Sequence, residues 1–148
     1  MLPEQGVTIA ILSNYDSNPS AIANKLHEWL TQGPSNVIPV PPEFKTSVEV
    51  SPKAGRSGEP FTLRVTVQNT GGLARGVLVD CEVKDARGSK VHQQFTEGQR
   101  FEPGATRSYT YTWTPAEAGT YSIDVGLFGP GWSPKHRFDA GVAKIEVR

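Results

Sequence analysis

Three acidic side chains, Asp80, Glu82 and Asp124, and one tryptophan, Trp132, are the residues whose types and spacing suggest chemistry in this chain. Two carboxylates two residues apart on a strand share a face, and a third from a neighbouring strand can join them, an arrangement that serves acid–base catalysis or calcium binding. Nothing in the sequence supplies a cleft around them, and outward charges are ordinary for a β-sandwich surface, so a solvated face is expected. The histidines His27, His92 and His136 fall on different expected elements with no cysteine or carboxylate at ligand spacing, so neither a metal site nor any other cofactor is expected. Gly129-Pro130-Gly131 lacks the lysine, the third glycine and the following helix of a phosphate cradle. Cys81, the lone cysteine, alternates in step with Val77, Val79 and Val83 and reads as an inert buried thiol. No catalytic residue emerges, and the chain reads as non-enzymatic.

The aromatic residues divide into two kinds. Tyr109, Tyr111 and Trp113 alternate with small polar residues, which places them on a core face. Trp132 sits in the loop FGPGWSPKH, where no periodicity buries it. An aromatic on a loop at the end of a rigid sandwich is the kind of residue that carries binding. The candidate carbohydrate-binding set is therefore Trp132 with Phe128 and the outward polar groups Gln94, Glu82 and Asp124. An indole face packs against the C–H surface of a sugar, while amides and carboxylates bond to its hydroxyls, so a polysaccharide or glycan is the expected partner.

Fifteen basic and fifteen acidic side chains leave the 148 residues with no formal net charge. Without a run of Lys or Arg, neither nucleic acid nor an anionic membrane is an expected partner. No apolar stretch approaches the roughly eighteen residues of a membrane span. The run Val7 to Leu12 has no basic leader and no small-residue cleavage site, so it does not read as a signal peptide.

These residues must be positioned by a chain in three parts. In residues 1–32, Val7 to Leu12 read as a strand, Asn18 and Pro19 open a helix, Ile22, Leu26, Trp29 and Leu30 form its apolar face, and Gly33 suits its C-cap. So short a unit cannot bury that face alone, and the helix must dock on the sandwich, on another copy or on a missing domain. Residues 33–46, GPSNVIPVPPEFKT, read as a Pro-rich linker.

Residues 47–148 repeat a period-two alternation between turn signals. The expected inward rows are Val48 and Val50; Phe61, Leu63, Val65 and Val67; Val77 to Val83; Val91, Gln93 and Phe95; Tyr109 to Trp113; Tyr121 to Leu127; and Ala143, Ile145 and Val147. About seven strands predict a mainly β fold, an immunoglobulin-like antiparallel sandwich with a short strand-helix appendage.

The stretch PEQGVTIAILSNYDSNPSAIANKLHEWL resembles the last strand and helix of β-lactamase and penicillin-binding-protein-like serine hydrolases. That family's Ser-x-x-Lys and Tyr-x-Asn are absent, and Lys45-Thr46-Ser47 breaks its Lys-Thr-Gly, so the resemblance implies a tail without an active site. The segments VQNTGG, GVLVDCEVKDARGSKVHQQFTEGQRFEPG and YTYTWTPAEAGTYSIDVGLFGPGW resemble the C-terminal sandwich modules of bacterial secreted glycoside hydrolases and, more distantly, bacterial adhesion-related repeats. This likeness implies a non-catalytic accessory module, a carbohydrate binder or a spacer, on an extracellular or cell-surface parent protein.

Overall fold

A computed structural model of the chain describes residues 39–148. The strand at 7–12, the helix carrying Ile22, Leu26, Trp29 and Leu30, and residues 33–38 of the linker lie outside the described residues.

The alternating segments form eight strands: β1 (Phe44–Ser51), β2 (Ala54–Gly55), β3 (Phe61–Asn69), β4 (Ala74–Lys84), β5 (Lys90–Phe101), β6 (Thr106–Trp113), β7 (Gly119–Phe128) and β8 (Lys135–Val147). One sheet has the order β1-β3-β6 and the other β2-β8-β7-β4-β5. All pairings are antiparallel except β2 with β8. This is the immunoglobulin-like sandwich expected, with one strand more than the alternation suggested. The addition is β2, two residues inside an expected turn, held where the Arg148 N–H donates to the Gly55 carbonyl at 2.9 Å. Among the described residues no helix is long and apolar enough to cross a membrane.

The first strand starts earlier than expected, since Phe44, Lys45 and Thr46 belong to β1 and not to a linker. Composition marks the prolines but not the core partner: the Phe44 ring is buried edge-on against Phe101, with centroids 5.5 Å apart. Just ahead of it, the carbonyls of Pro41 and Glu43 accept from the N–H groups of Gly72 and Thr70. Asn69 ties this corner together. Its buried side-chain amide donates to the carbonyls of Gly72 and Phe101, and its oxygen accepts from the Gly71 N–H.

Between the sheets lies an apolar core of the expected residues. Phe61, Leu63, Val65 and Val67 of β3, Val77, Val79, Cys81 and Val83 of β4, and Ile123, Val125 and Leu127 of β7 are buried, joined by Tyr111, Trp113, Tyr121 and Ile145. Each large side chain contributes roughly 1.5–3 kcal/mol by leaving water. Burial pushes the Cys81 thiol up to about 12, so it has almost no thiolate at neutral pH.

Strand β5 corrects the sequence reading. Val91, Gln93 and Phe95 were expected inward and Gln94 outward, yet Gln94 and Thr96 lie opposite Cys81 and Val79 on the inner face, while Gln93 and Phe95 lie opposite Glu82 and Asp80 on the outer one. The turn pairs Lys84 with Lys90, and that register continued would set Asp80 beside Gln94. An irregularity between Val83 and Lys84 shifts the pairing by one residue, which sends the side chains from His92 to Thr96 to the opposite face until a further shift between Val77 and Val79 sets Gln99 opposite Val77. Most of the inward polar groups find partners because β5 and β6 are facing edge strands, the exception being His92, whose buried Nε2 has no hydrogen-bond partner among the described residues. Gln94 Oε1 accepts from the Thr112 N–H at 3.2 Å, the Tyr109 hydroxyl donates to Gln99, and Thr96 and Tyr111 share a bond at 3.1 Å.

Candidate functional site

The outer face of the five-stranded sheet gathers most of the candidate residues. Register places Leu78 opposite Phe128, Asp80 opposite Gly126 and Glu82 opposite Asp124. Phe95 and Gln93 flank the same row from β5, and Phe138 lies opposite Gly126 on β8. One end of the face is aromatic and the other is charged.

The aromatic end depends on the loop after β7. Gly129 breaks the strand, a 3-10 turn spans Pro130–Trp132, and the chain doubles back onto the sheet. Pro130 rests on β4 at Gly76, where an added Cβ would sit 2.8 Å from its Cγ, so this approach requires glycine. Trp132 adopts φ 71°, the left-handed region that costs a bulky residue roughly 1–2 kcal/mol. Packing offsets that cost: the indole lies 5.2 Å from the Phe95 ring and 5.3 Å from Phe128. Phe128 in turn lies over Gly126, where any Cβ would collide with its ring. The result is a held platform that stays partly open, with Trp132 39% and Phe95 48% exposed.

At the charged end the carboxylates are partnered. Asp124 bonds to Lys84 Nζ at 2.6 Å and accepts from the Gly141 N–H at 2.7 Å. Asp80 accepts from Gln93 Nε2 at 2.9 Å, and Glu82 pairs with Lys90 Nζ at 2.9 Å. The Lys84 ammonium also lies over the Phe138 ring at 5.6 Å. Asp80 and Asp124 are only 1% and 3% exposed, so the solvated face expected for them is corrected to a covered one. Burial raises the Asp80 carboxyl above its ordinary 3.8, and the hydrogen bond from Lys84 to Asp124 raises the Lys84 ammonium. Among the described residues no three His, Cys, Asp or Glu side chains converge as a metal site. The arrangement offers a half-open cluster of mutually inclined rings edged by fixed charges.

Of the five residues expected to bind, Trp132, Phe128, Glu82 and Asp124 share this face, and Gln94 lies on the opposite one. Sequence reasoning missed Phe95, Phe138, Lys84 and Gln93. Phe95 and Gln93 were hidden by the register shift, while Lys84 was legible as the outward residue two places after Glu82.

A family model described as BatD, BatD DUF11 like domain, matches residues 48–127. No curated protein matches the chain. Among solved structures, the C-terminal domain of wzt is 11% identical with a TM-score of 0.59, the match covering 74% of this chain and 77% of that one. The CARDB domain of a Pyrococcus furiosus protein, in complex with di-metal ions, is 16% identical with a TM-score of 0.53, covering 72% of this chain and 93% of that one. A β-glucosidase from Listeria innocua in complex with gluconolactone is 18% identical with a TM-score of 0.50, covering 72% and 16% respectively. At such identities the likeness is one of fold.

Proposed function

Because this chain belongs to the family of BatD DUF11-like domains, we propose that it is a non-catalytic accessory module holding a polysaccharide or cell-wall glycan on the outer face of its larger sheet. Its setting is extracellular or at the cell surface, beside an enzyme. The observation that carries this reading is Trp132, kept at positive φ between two rings while its indole stays open to a ligand. A residue held in a costly conformation by its surroundings is a pre-organised contact. From Leu78 to Glu82 the face extends about 13 Å along β4, which suits a short oligosaccharide better than one sugar.

Titration calorimetry with soluble β-glucans, xylans and peptidoglycan fragments tests this. One glycan class is expected to bind weakly, and Trp132→Ala is expected to lose about 2 kcal/mol or more while melting as a folded protein. Trp113→Ala, a core change, should unfold instead. If no glycan binds, or if Trp132→Ala binds as well as the parent, the module is a structural spacer, of the kind a serine β-lactamase-like hydrolase would carry at its C-terminus.

A further inference from the structure

The turn that carries Trp132 is bonded to itself and not to the sheet beneath it. At its base the Gly129 N–H donates to the Pro134 carbonyl at 2.7 Å, and within it the Trp132 N–H donates to the Gly129 carbonyl at 3.1 Å. Among the described residues no backbone bond ties positions 130–133 to a strand, and none of the residues Pro130–Trp132 is buried. The ladder itself loosens at this point. Strands β7 and β8 pair Leu127 with Arg137 and then Phe128 with Lys135, which leaves His136 out of step.

The contacts that hold the turn down are apolar: Pro130 at Gly76, and the indole against Phe95 and Phe128. They cover a residue that the core does not include. Leu78 lies on the outer face opposite Phe128, outside the cluster packed between the sheets, yet it is only 1% exposed. With no second sheet on that side, Phe128 and the turn resting on β4 are its roof.

The backbone opposes this closure. Trp132 at φ 71° is the only non-glycine residue at positive φ among the described residues, and Gly131 before it is at φ 67°. A bulky residue stays in that conformation only while something holds it there. What holds it is the seat of the indole between Phe95 and Phe128. The hydrogen bond within the turn adds little, because it lies in exposed chain where water replaces it. Contact and strain therefore pull against each other at one residue.

We propose that Trp132 is a two-state latch on the outer face. Seated, the indole completes the ring cluster and closes over Leu78. Released, Trp132 returns to negative φ, the indole swings into water about the Gly131–Trp132 pivot, and Leu78 and Phe128 are uncovered. The bond between Gly129 and Pro134 keeps the base in place. This goes beyond glycan binding, because the latch works with no ligand present.

The test uses the full chain with 5-fluorotryptophan and methyl-labelled leucine, followed by NMR without ligand. In the parent, relaxation dispersion at the Trp132 fluorine and at the Leu78 methyls is expected to report one shared exchange rate and a released population on the order of 1–10%. Gly131→Ala is the decisive variant. A Cβ there meets nothing within 4 Å, so it removes no contact and acts only by disfavouring φ 67°. It is expected to raise the released population about fivefold, to move both signals in the same proportion, and to leave the Leu63 methyls of the core in place. Exchange at Trp132 that is absent at Leu78 overturns the proposal. So do signals of both residues that neither exchange in the parent nor move in Gly131→Ala. Movement of Leu63 along with them overturns it as well, since the event is then unfolding of the sandwich and not release of a latch.

Discussion

The two faces of the five-stranded sheet are built from the same strands and are equally closed to water at their centres, yet they differ in kind. On the inner face Val79, Val83, Val125 and Leu127 are covered by a second sheet. On the outer face Asp80 and Asp124 are almost as buried, but the cover is a folded-back loop and long side chains, and each carboxylate has a named partner. Burial therefore does not distinguish core from surface site. What distinguishes them is whether the cover is apolar and non-directional or polar and specific, because only the second kind leaves rings such as Phe95 and Trp132 half open.

The largest effect expected from breaking this contrast is on the inner face. Leu127→Ala should cost about 2–5 kcal/mol, as a fully buried side chain leaves a cavity, and should appear as a lower urea midpoint with an unchanged slope. A loss below about 1 kcal/mol would mean that this face is not the principal core.

On the outer face Asp124→Ala should cost about 2 kcal/mol, since it leaves the Gly141 N–H without its acceptor and the Lys84 ammonium with only the longer contact to Glu82 at 3.6 Å. The double variant with Lys84→Met should recover part of that loss. Full additivity of the two changes in urea melts would show that the pair is not coupled.

Smaller again is the expected difference between two substitutions of Trp132. Trp132→Gly removes the ring but tolerates φ 71°, whereas Trp132→Ala keeps a Cβ in that conformation, so the glycine variant should be the more stable by up to about 1 kcal/mol. Thermal melts of the two decide it. The reverse order would mean that the backbone relaxes once the indole is gone.

The subtlest contrast lies in pH dependence. Burial holds the Asp80 carboxyl above 3.8 in the folded state, so its contribution is fully present below that value and is lost as pH rises through the raised folded value. Asp80→Asn keeps an acceptor for Gln93 and should be at least as stable as the parent at pH 7. Asp139 runs the other way: burial pushes it up, but hydrogen bonds from Arg137 and Thr46 outweigh that and hold it below 3.8. Its contribution is present above 3.8 and lost as pH falls through the lowered value, so Asp139→Asn should weaken the fold at pH 7 and matter little near about pH 2. Denaturation curves between these limits that slope alike for both variants would contradict the assignment.

Period-two alternation was enough by itself to determine the sandwich class and the inner rows of β3, β4, β6 and β7. Each of those strands lies against the facing sheet, and there the hydrophobic effect forces one parity. The same alternation could not tell which side of β5 faces inward, because both edge-strand faces are partly wet and a one-residue shift beside Lys84 is silent in the sequence. Trp132 was legible as an unburied loop aromatic, but its neighbours were not. Only tertiary structure brings Phe95 and Phe128 to the indole, since the contact spans β5, β7 and the loop and depends on a register that local residues do not encode. The same holds for the edge position of β1. Its residues predict a strand, but whether a strand has one neighbour or two is decided by the order of the sheet, a property of the whole chain and of no segment within it.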